Sequence, residues 1–132
     1  MHPTPHKPKG WVGKFAAALS GCKQGIRGQS SFFVHFFVAA LVIVAATVLH
    51  ASFVEWCLLA VCIQAVLVAE MFNSAIEWLA RTITHEHDKQ LGIALDIASG
   101  AVLIAAIWAA LIGGAIFLHR LGVLMSWWPS VL

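Results

Sequence analysis

The sequence predicts an all-α membrane protein, with a short amphipathic helix at the membrane interface followed by three transmembrane helices. Three observations carry that prediction. Of the 132 residues, 61% are hydrophobic and 11% charged, and the mean hydropathy is +0.88, whereas soluble domains run near a quarter charged. Three apolar runs are each long enough to cross a bilayer, which takes about 20 residues. A basic segment with helical apolar spacing precedes the first run. The length accommodates one domain.

The elements follow in order. Residues 1–10, with Pro3, Pro5 and Pro8, read as a disordered N-terminus. Residues 11–28 place Trp11, Phe15, Leu19, Cys22 and Ile26 at helical spacing, with Lys14, Lys23, Gln24 and Arg27 largely elsewhere on the wheel. Such a helix lies in the interface, drawn by anionic headgroups; a plain anchor and a part in substrate handling both stay open. The lipid-facing domain covers residues 29–120, with spans expected at about 32–49, 56–84 and 97–118 and short polar joints at 50–55 and 85–96. Within it, the second span turns polar on one face from Glu70 onward, while the third is clean and contains Trp108 and Gly113-Gly114. Residues 121–132 form a tail. The first run lies too far in, and lacks the small-residue exit, to read as a cleaved signal peptide.

Five of the eight Lys and Arg residues precede the first span, Arg81 and Lys89 lie in the 81–96 stretch around the second joint, and the 50–55 joint has none. By the positive-inside rule the N-terminus and that second joint are cytoplasmic and the C-terminus is outside. Trp127 and Trp128 then suit the outer interface, and Trp56, Trp78 and Trp108 read as belt or packing residues. Cys22, Cys57 and Cys62 fit neither a disulfide framework nor a zinc spacing.

The most informative residues are Glu70, Asn73 and Glu77, which sit inside the apolar second span. Their spacing of i, i+3, i+7 puts the three side chains within about 60° of one helix face, and Ser74 and Arg81 extend that stripe. A carboxylate at membrane depth costs a few kcal/mol, so two on one face need a cation, a proton or a basic partner. Five of the six acids, Glu70, Glu77, Glu86, Asp88 and Asp96, fall within 27 positions at one expected membrane face. Ion relays spread acids through mid-bilayer. Magnesium–nucleotide chemistry instead needs oxygen ligands at a watery edge, because Mg²⁺ keeps waters and takes one or two carboxylates plus phosphates. The pattern favours the second use. A structural use, with Glu77 paired to Arg81 at i,i+4, stays open. His35 reads as a hydrogen-bonding partner of a neighbouring helix, His85 and His87 as solvated, and Ala98-Ser-Gly-Ala101 as a close-packing patch.

The run Glu70-Met-Phe-Asn-Ser-Ala-Ile-Glu77, followed by Glu86 and by Ala94-Leu-Asp-Ile-Ala-Ser-Gly-Ala-Val102, resembles the signature of the small bacterial diacylglycerol kinase and undecaprenol kinase family. Ala18 to His35 also resembles that family's approach to its first span, and the similarity covers roughly residues 11–118. The resemblance implies a homotrimer with sites built between subunits, and Mg²⁺ with ATP as co-substrate. It implies Glu70 as general base on the lipid hydroxyl, Asn73 near the phosphates, and Glu77 as a magnesium ligand. It further implies Glu86 and Asp96 as nucleotide-contacting acids, His87 and Asp88 in the neighbouring ATP-binding loop, and Ser99 near the lipid. This chain departs from the family pattern at three positions: Gln29 stands for a second metal-binding glutamate, Leu95 for a lysine before Asp96, and Ala80 for an aspartate.

The expectation is therefore an ATP-dependent lipid kinase of the bacterial inner membrane, phosphorylating diacylglycerol to phosphatidic acid, with no nucleic-acid partner. Two alternatives stand beside it: an undecaprenol kinase, and a catalytically impaired relative with a binding or regulatory role. An ion-coupled transporter would need carboxylates reachable from both sides, whereas these gather toward one.

Overall fold

The computed structural model describes residues 10–27, 29–83, 88–127 and 129. Among them the chain is all-helical: α1 is Trp11–Ile26, α2 Ser30–Val48, α3 Phe53–Ile83 and α4 Lys89–Leu124. The last three are long and apolar enough to cross a membrane. Their large apolar side chains, such as Phe33, Phe37, Val61, Ile104 and Leu111, mostly face outward, as expected where lipid rather than water is the solvent.

Helix α3 starts before its expected span and α4 runs past both ends of its own, for local reasons. Helix α3 begins at Phe53 rather than Trp56, because Ser52 and Glu55 form a capping box. The Ser52 N–H donates to Glu55 Oε2 at 2.7 Å and the Glu55 N–H to Ser52 Oγ at 3.4 Å, satisfying donors that a helix start leaves orphaned. The 85–96 joint is helical from Lys89 onward, with Asp88 accepting the Leu91 N–H at 2.9 Å as its N-cap. Hydropathy locates the edge of the apolar slab, and a helix with a good cap continues past that edge into polar sequence. At its other end α4 runs to Leu124, so the first residues of the expected tail are helical.

Helices α2 and α4 end alike. His50 and Ser126 adopt left-handed backbone, with φ of 53° and 58°. The next residue's N–H then closes onto a carbonyl inside the helix, Ala51 onto Ala46 at 2.9 Å and Trp127 onto Gly122 at 2.8 Å. This closure is the Schellman stop, usually made with glycine. Each stop turns the chain sharply after a span.

Helices α2, α3 and α4 therefore run antiparallel in sequence, and two ends of the bundle result. One end holds the buried Ala46, Leu59 and Ile116 with Trp56 and Phe117 packed around them. Here Arg120 Nε lies 2.5 Å from Glu55 Oε2, both side chains nearly enclosed. The other end gathers the start of α2, the last turns of α3 and the start of α4. Counting from Phe53 at 1.5 Å per residue, Glu70 lies about 26 Å and Glu77 about 36 Å along α3. A hydrocarbon core about 30 Å thick leaves this second end at a membrane edge. Helix α1 meets α3 there: Gly25 is buried, and a side chain on it would run into the thioether of Met71.

Candidate functional site

Glu70 is 3% exposed and is held from α2. The Ser31 hydroxyl donates to its Oε1, and His35 Nε2 stands 3.7 Å from its Oε2. Ser31 and His35 are one helical turn apart, so a single face of α2 addresses the carboxylate. A bare carboxylate is costly at this depth, and the Ser31 hydroxyl, with the His35 imidazole close by, replaces part of what water would give.

One helical turn further along α3 the polar groups form a second cluster. Asn73 Nδ2 donates to Glu77 Oε1 at 2.9 Å, and Gln29 Nε2 donates to Glu77 Oε2 at 2.8 Å. The Arg81 guanidinium reaches the same Oε2 at 3.3 Å, in the i,i+4 pairing that the sequence offered. Ser99 of α4 points its hydroxyl at Asn73 Oδ1, 3.5 Å away, while also bonding the Leu95 carbonyl at 3.0 Å. Asn73 thus ties α3 to α4, and Gln29 ties the entrance of α2 to the same carboxylate. The Glu77 side chain keeps 27% of its surface open, so it is reachable from water, while Glu70 is not.

Five of the residues singled out in the sequence, Gln29, Glu70, Asn73, Glu77 and Ser99, come together here. Asp96 is exposed on α4, three residues before Ser99 and so near the same helix face. Asp88 is occupied in capping α4, and Glu86 and His87 lie outside the described residues. Sequence reasoning missed Ser31, whose signal was its i,i+4 spacing to His35. It also missed the Glu55–Arg120 pair, whose signal was the Ser52-x-x-Glu55 box and a lone arginine at the end of the third span. Ser74, on the predicted stripe, is wholly buried, and its hydroxyl has no hydrogen-bond partner among the described residues.

A cation held here would rest on Glu77, whose two oxygens accept N–H groups from Asn73, Gln29 and Arg81. Among the described residues no three His, Cys, Asp or Glu side chains converge as a cage. Glu77 nonetheless offers a carboxylate flanked by the Gln29 and Asn73 amides, and a half-turn of the Gln29 amide would exchange its N–H for an oxygen. One carboxylate and neutral oxygens, completed by phosphates and water, is the manner in which Mg²⁺ is usually held.

Three membrane-length helices gathered around one sealed and one water-accessible carboxylate define a small helical membrane protein with an acidic site at one edge. Residues 16–117 match the family model described as prokaryotic diacylglycerol kinase. The chain belongs to that family. It is 35% identical over 112 residues to a diacylglycerol kinase of Synechocystis sp., a match covering 84% of this chain and 64% of that protein, just under two thirds of its length. It is 31% identical over 107 residues to an undecaprenol kinase of Bacillus subtilis, covering 81% of this chain and 87% of that one. No solved structure matches it significantly.

Proposed function

We propose that this chain is an integral lipid kinase of the bacterial inner membrane, moving the γ-phosphoryl group of Mg·ATP onto a lipid alcohol. Diacylglycerol is the acceptor we favour, giving phosphatidic acid for phospholipid synthesis. The observation that carries the reading is the Glu70 carboxylate, sealed from water yet one helical turn from the accessible Asn73–Glu77 cluster. A lipid hydroxyl reaches such a group from the bilayer side, and a nucleotide reaches the other from water.

Glu70 accepts the proton of the acceptor hydroxyl as that oxygen bonds to the γ-phosphorus and the bond to the ADP oxygen breaks. The Ser31 hydrogen bond to Oε1 leaves Oε2 as the accepting atom. Glu77, joined by the Gln29 amide oxygen once that amide has turned, would hold the magnesium, with Asn73 beside the phosphates. When bound, that ion neutralises charge on the phosphates, which is most of what phosphoryl transfer asks of a protein. Asp96, with Glu86, His87 and Asp88, contacts nucleotide, and Ser99 lies toward the lipid. Arg81, already beside Glu77, supplies a cation near the phosphates where Leu95 cannot. The working unit is a homotrimer with its N-terminus in the cytoplasm and α1 on the membrane surface.

One observation favours a second reading. The relative matched over 87% of its own length is named an undecaprenol kinase, against 64% for the one named a diacylglycerol kinase. The test is transfer of ³²P from [γ-³²P]ATP in mixed micelles, with dioleoylglycerol and undecaprenol offered in parallel and with magnesium present or chelated. Magnesium-dependent label in dioleoylglycerol supports the proposal. Label in undecaprenol alone selects the second reading, and label in neither from a folded protein overturns both.

A further inference from the structure

In α1 only Gly25 is buried, while Trp11, Phe15 and Leu19 are exposed. The helix packs chiefly against α3, and the contact at Gly25 is a thioether in a notch. A side chain on Gly25 would meet both Sδ and Cε of Met71. Met71 itself is half-buried and so within reach of a small solute. It directly follows Glu70 in α3, so the sulfur that meets α1 and the carboxylate held from α2 belong to one helical turn. Only three residues join the end of α1 at Ile26 to the start of α2 at Ser30. The last of them, Gln29, donates to Glu77 Oε2 at 2.8 Å, and Ser31 donates to Glu70 Oε1. A displacement of α1 at Gly25 therefore reaches both carboxylates through a tether too short to absorb it.

We propose that Met71 is a redox modification site whose oxidation to the sulfoxide releases α1 and slows the kinase. The oxidant is hydrogen peroxide, small and uncharged enough to enter a membrane edge. A sulfur lone pair attacks one peroxide oxygen, so that the S–O bond forms as the O–O bond breaks. The departing hydroxide takes the proton left on the new S–OH group and becomes water. Sulfur is oxidised and the peroxide oxygen reduced. The thioether is apolar and flexible enough to fill a glycine notch, whereas the sulfoxide is larger and polar. Gly25 carries no side chain, and the N–H groups of the last turns of α1 are taken up by its own helical ladder, so the notch gives the new oxygen no donor. A polar group buried without a partner is unfavourable, so the sulfoxide turns out to water and α1 loses its hold. Gln29 and Ser31 then shift from their carboxylates. The slowing rests on the lipid-kinase reading; the release of α1 does not.

The full-length chain in mixed micelles, with and without hydrogen peroxide, tests this in the parent, Met71→Leu and Met71→Gln. In the oxidised parent, mass spectrometry is expected to find the Met71 peptide heavier by one oxygen and hydrogen exchange to be faster across α1. Transfer to dioleoylglycerol or undecaprenol is expected to fall about tenfold, short of the 10²-fold that a displacement of about 1 Å can cost. Methionine sulfoxide reductase with dithiothreitol should restore both readings and dithiothreitol alone neither, which separates the sulfoxide from reversibly oxidised thiols. Met71→Leu, a tolerated swap of similar volume, should keep parental exchange and transfer and ignore peroxide. Met71→Gln, polar at the same place, should resemble the oxidised parent without peroxide. Met71 left intact while the exposed Met125 is converted overturns the site. Sulfoxide at Met71 with unmoved exchange in α1 overturns the release, and released α1 with undiminished transfer overturns the coupling. An equal loss of transfer in Met71→Leu assigns the effect to the cysteines and overturns the proposal. Faster exchange in α1 of a chain that phosphorylates neither lipid leaves the modification site standing and sinks the kinase reading instead.

Discussion

Arg120→Met removes one partner of the enclosed pair at the end of the bundle remote from the acidic site. Arg120 Nε lies 2.5 Å from Glu55 Oε2, with the two side chains 11% and 4% exposed. Breaking a buried pair by removing one member costs about 3–5 kcal/mol, because it strands the other charge. Glu55 would retain the Ser52 N–H at 2.7 Å, which offsets part of that loss, so the low end, about 3 kcal/mol, is expected. That is roughly two powers of ten in the unfolding equilibrium. The double variant Glu55→Met/Arg120→Met strands no charge and gives up only the carboxylate half of the capping box, about 1 kcal/mol. It should therefore be more stable than Arg120→Met alone. Unfolding by sodium dodecyl sulfate in mixed micelles, followed by tryptophan fluorescence, measures all three. An Arg120→Met variant within about 0.5 kcal/mol of the parent, or a double variant less stable than Arg120→Met, would refute the electrostatic reasoning.

Three further expectations concern other parts of the chain. Gln29→Glu sets a second carboxylate where Gln29 Nε2 now lies 2.8 Å from Glu77. Without magnesium it should destabilise by about 1–2 kcal/mol, and added magnesium should restore the melting temperature; equal melting with and without the ion would remove Gln29 from any metal shell. His50→Gly and Ser126→Gly relieve the left-handed φ values of 53° and 58°, and each should stabilise by about 0.5–1 kcal/mol in the same unfolding assay. Gly25→Val collides with Met71 and should speed hydrogen exchange in α1, and adding Met71→Ala should reverse the effect. Unchanged exchange in Gly25→Val would mean that α1 is not docked there.

The three spans and the polar face of α3 were legible because apolar run length and a spacing of i, i+3, i+7 are local properties of the chain. The helix ends were less so. Lys89 to Asp96 reads as a polar joint by hydropathy, yet Asp88 caps it into α4, since polar sequence outside the slab can still be helical. Pairings across helices were not legible. Nothing local joins Glu55 to Arg120, 65 residues apart, or Ser31 to Glu70, 39 apart. Antiparallel packing brings each pair together only when the spans are assembled. Gln29 was singled out through resemblance alone, and its bond to Glu77 is the physical counterpart of that choice.

Label transfer by Glu70→Gln, with ATP binding measured on the same folded preparation, asks most directly whether Glu70 is the base. Loss of a general base lowers turnover by about 10²–10⁴-fold, so near-complete loss of phosphorylated lipid with nucleotide binding retained is expected. Turnover equal to the parent chain would contradict a proton-accepting Glu70 and the site built around it.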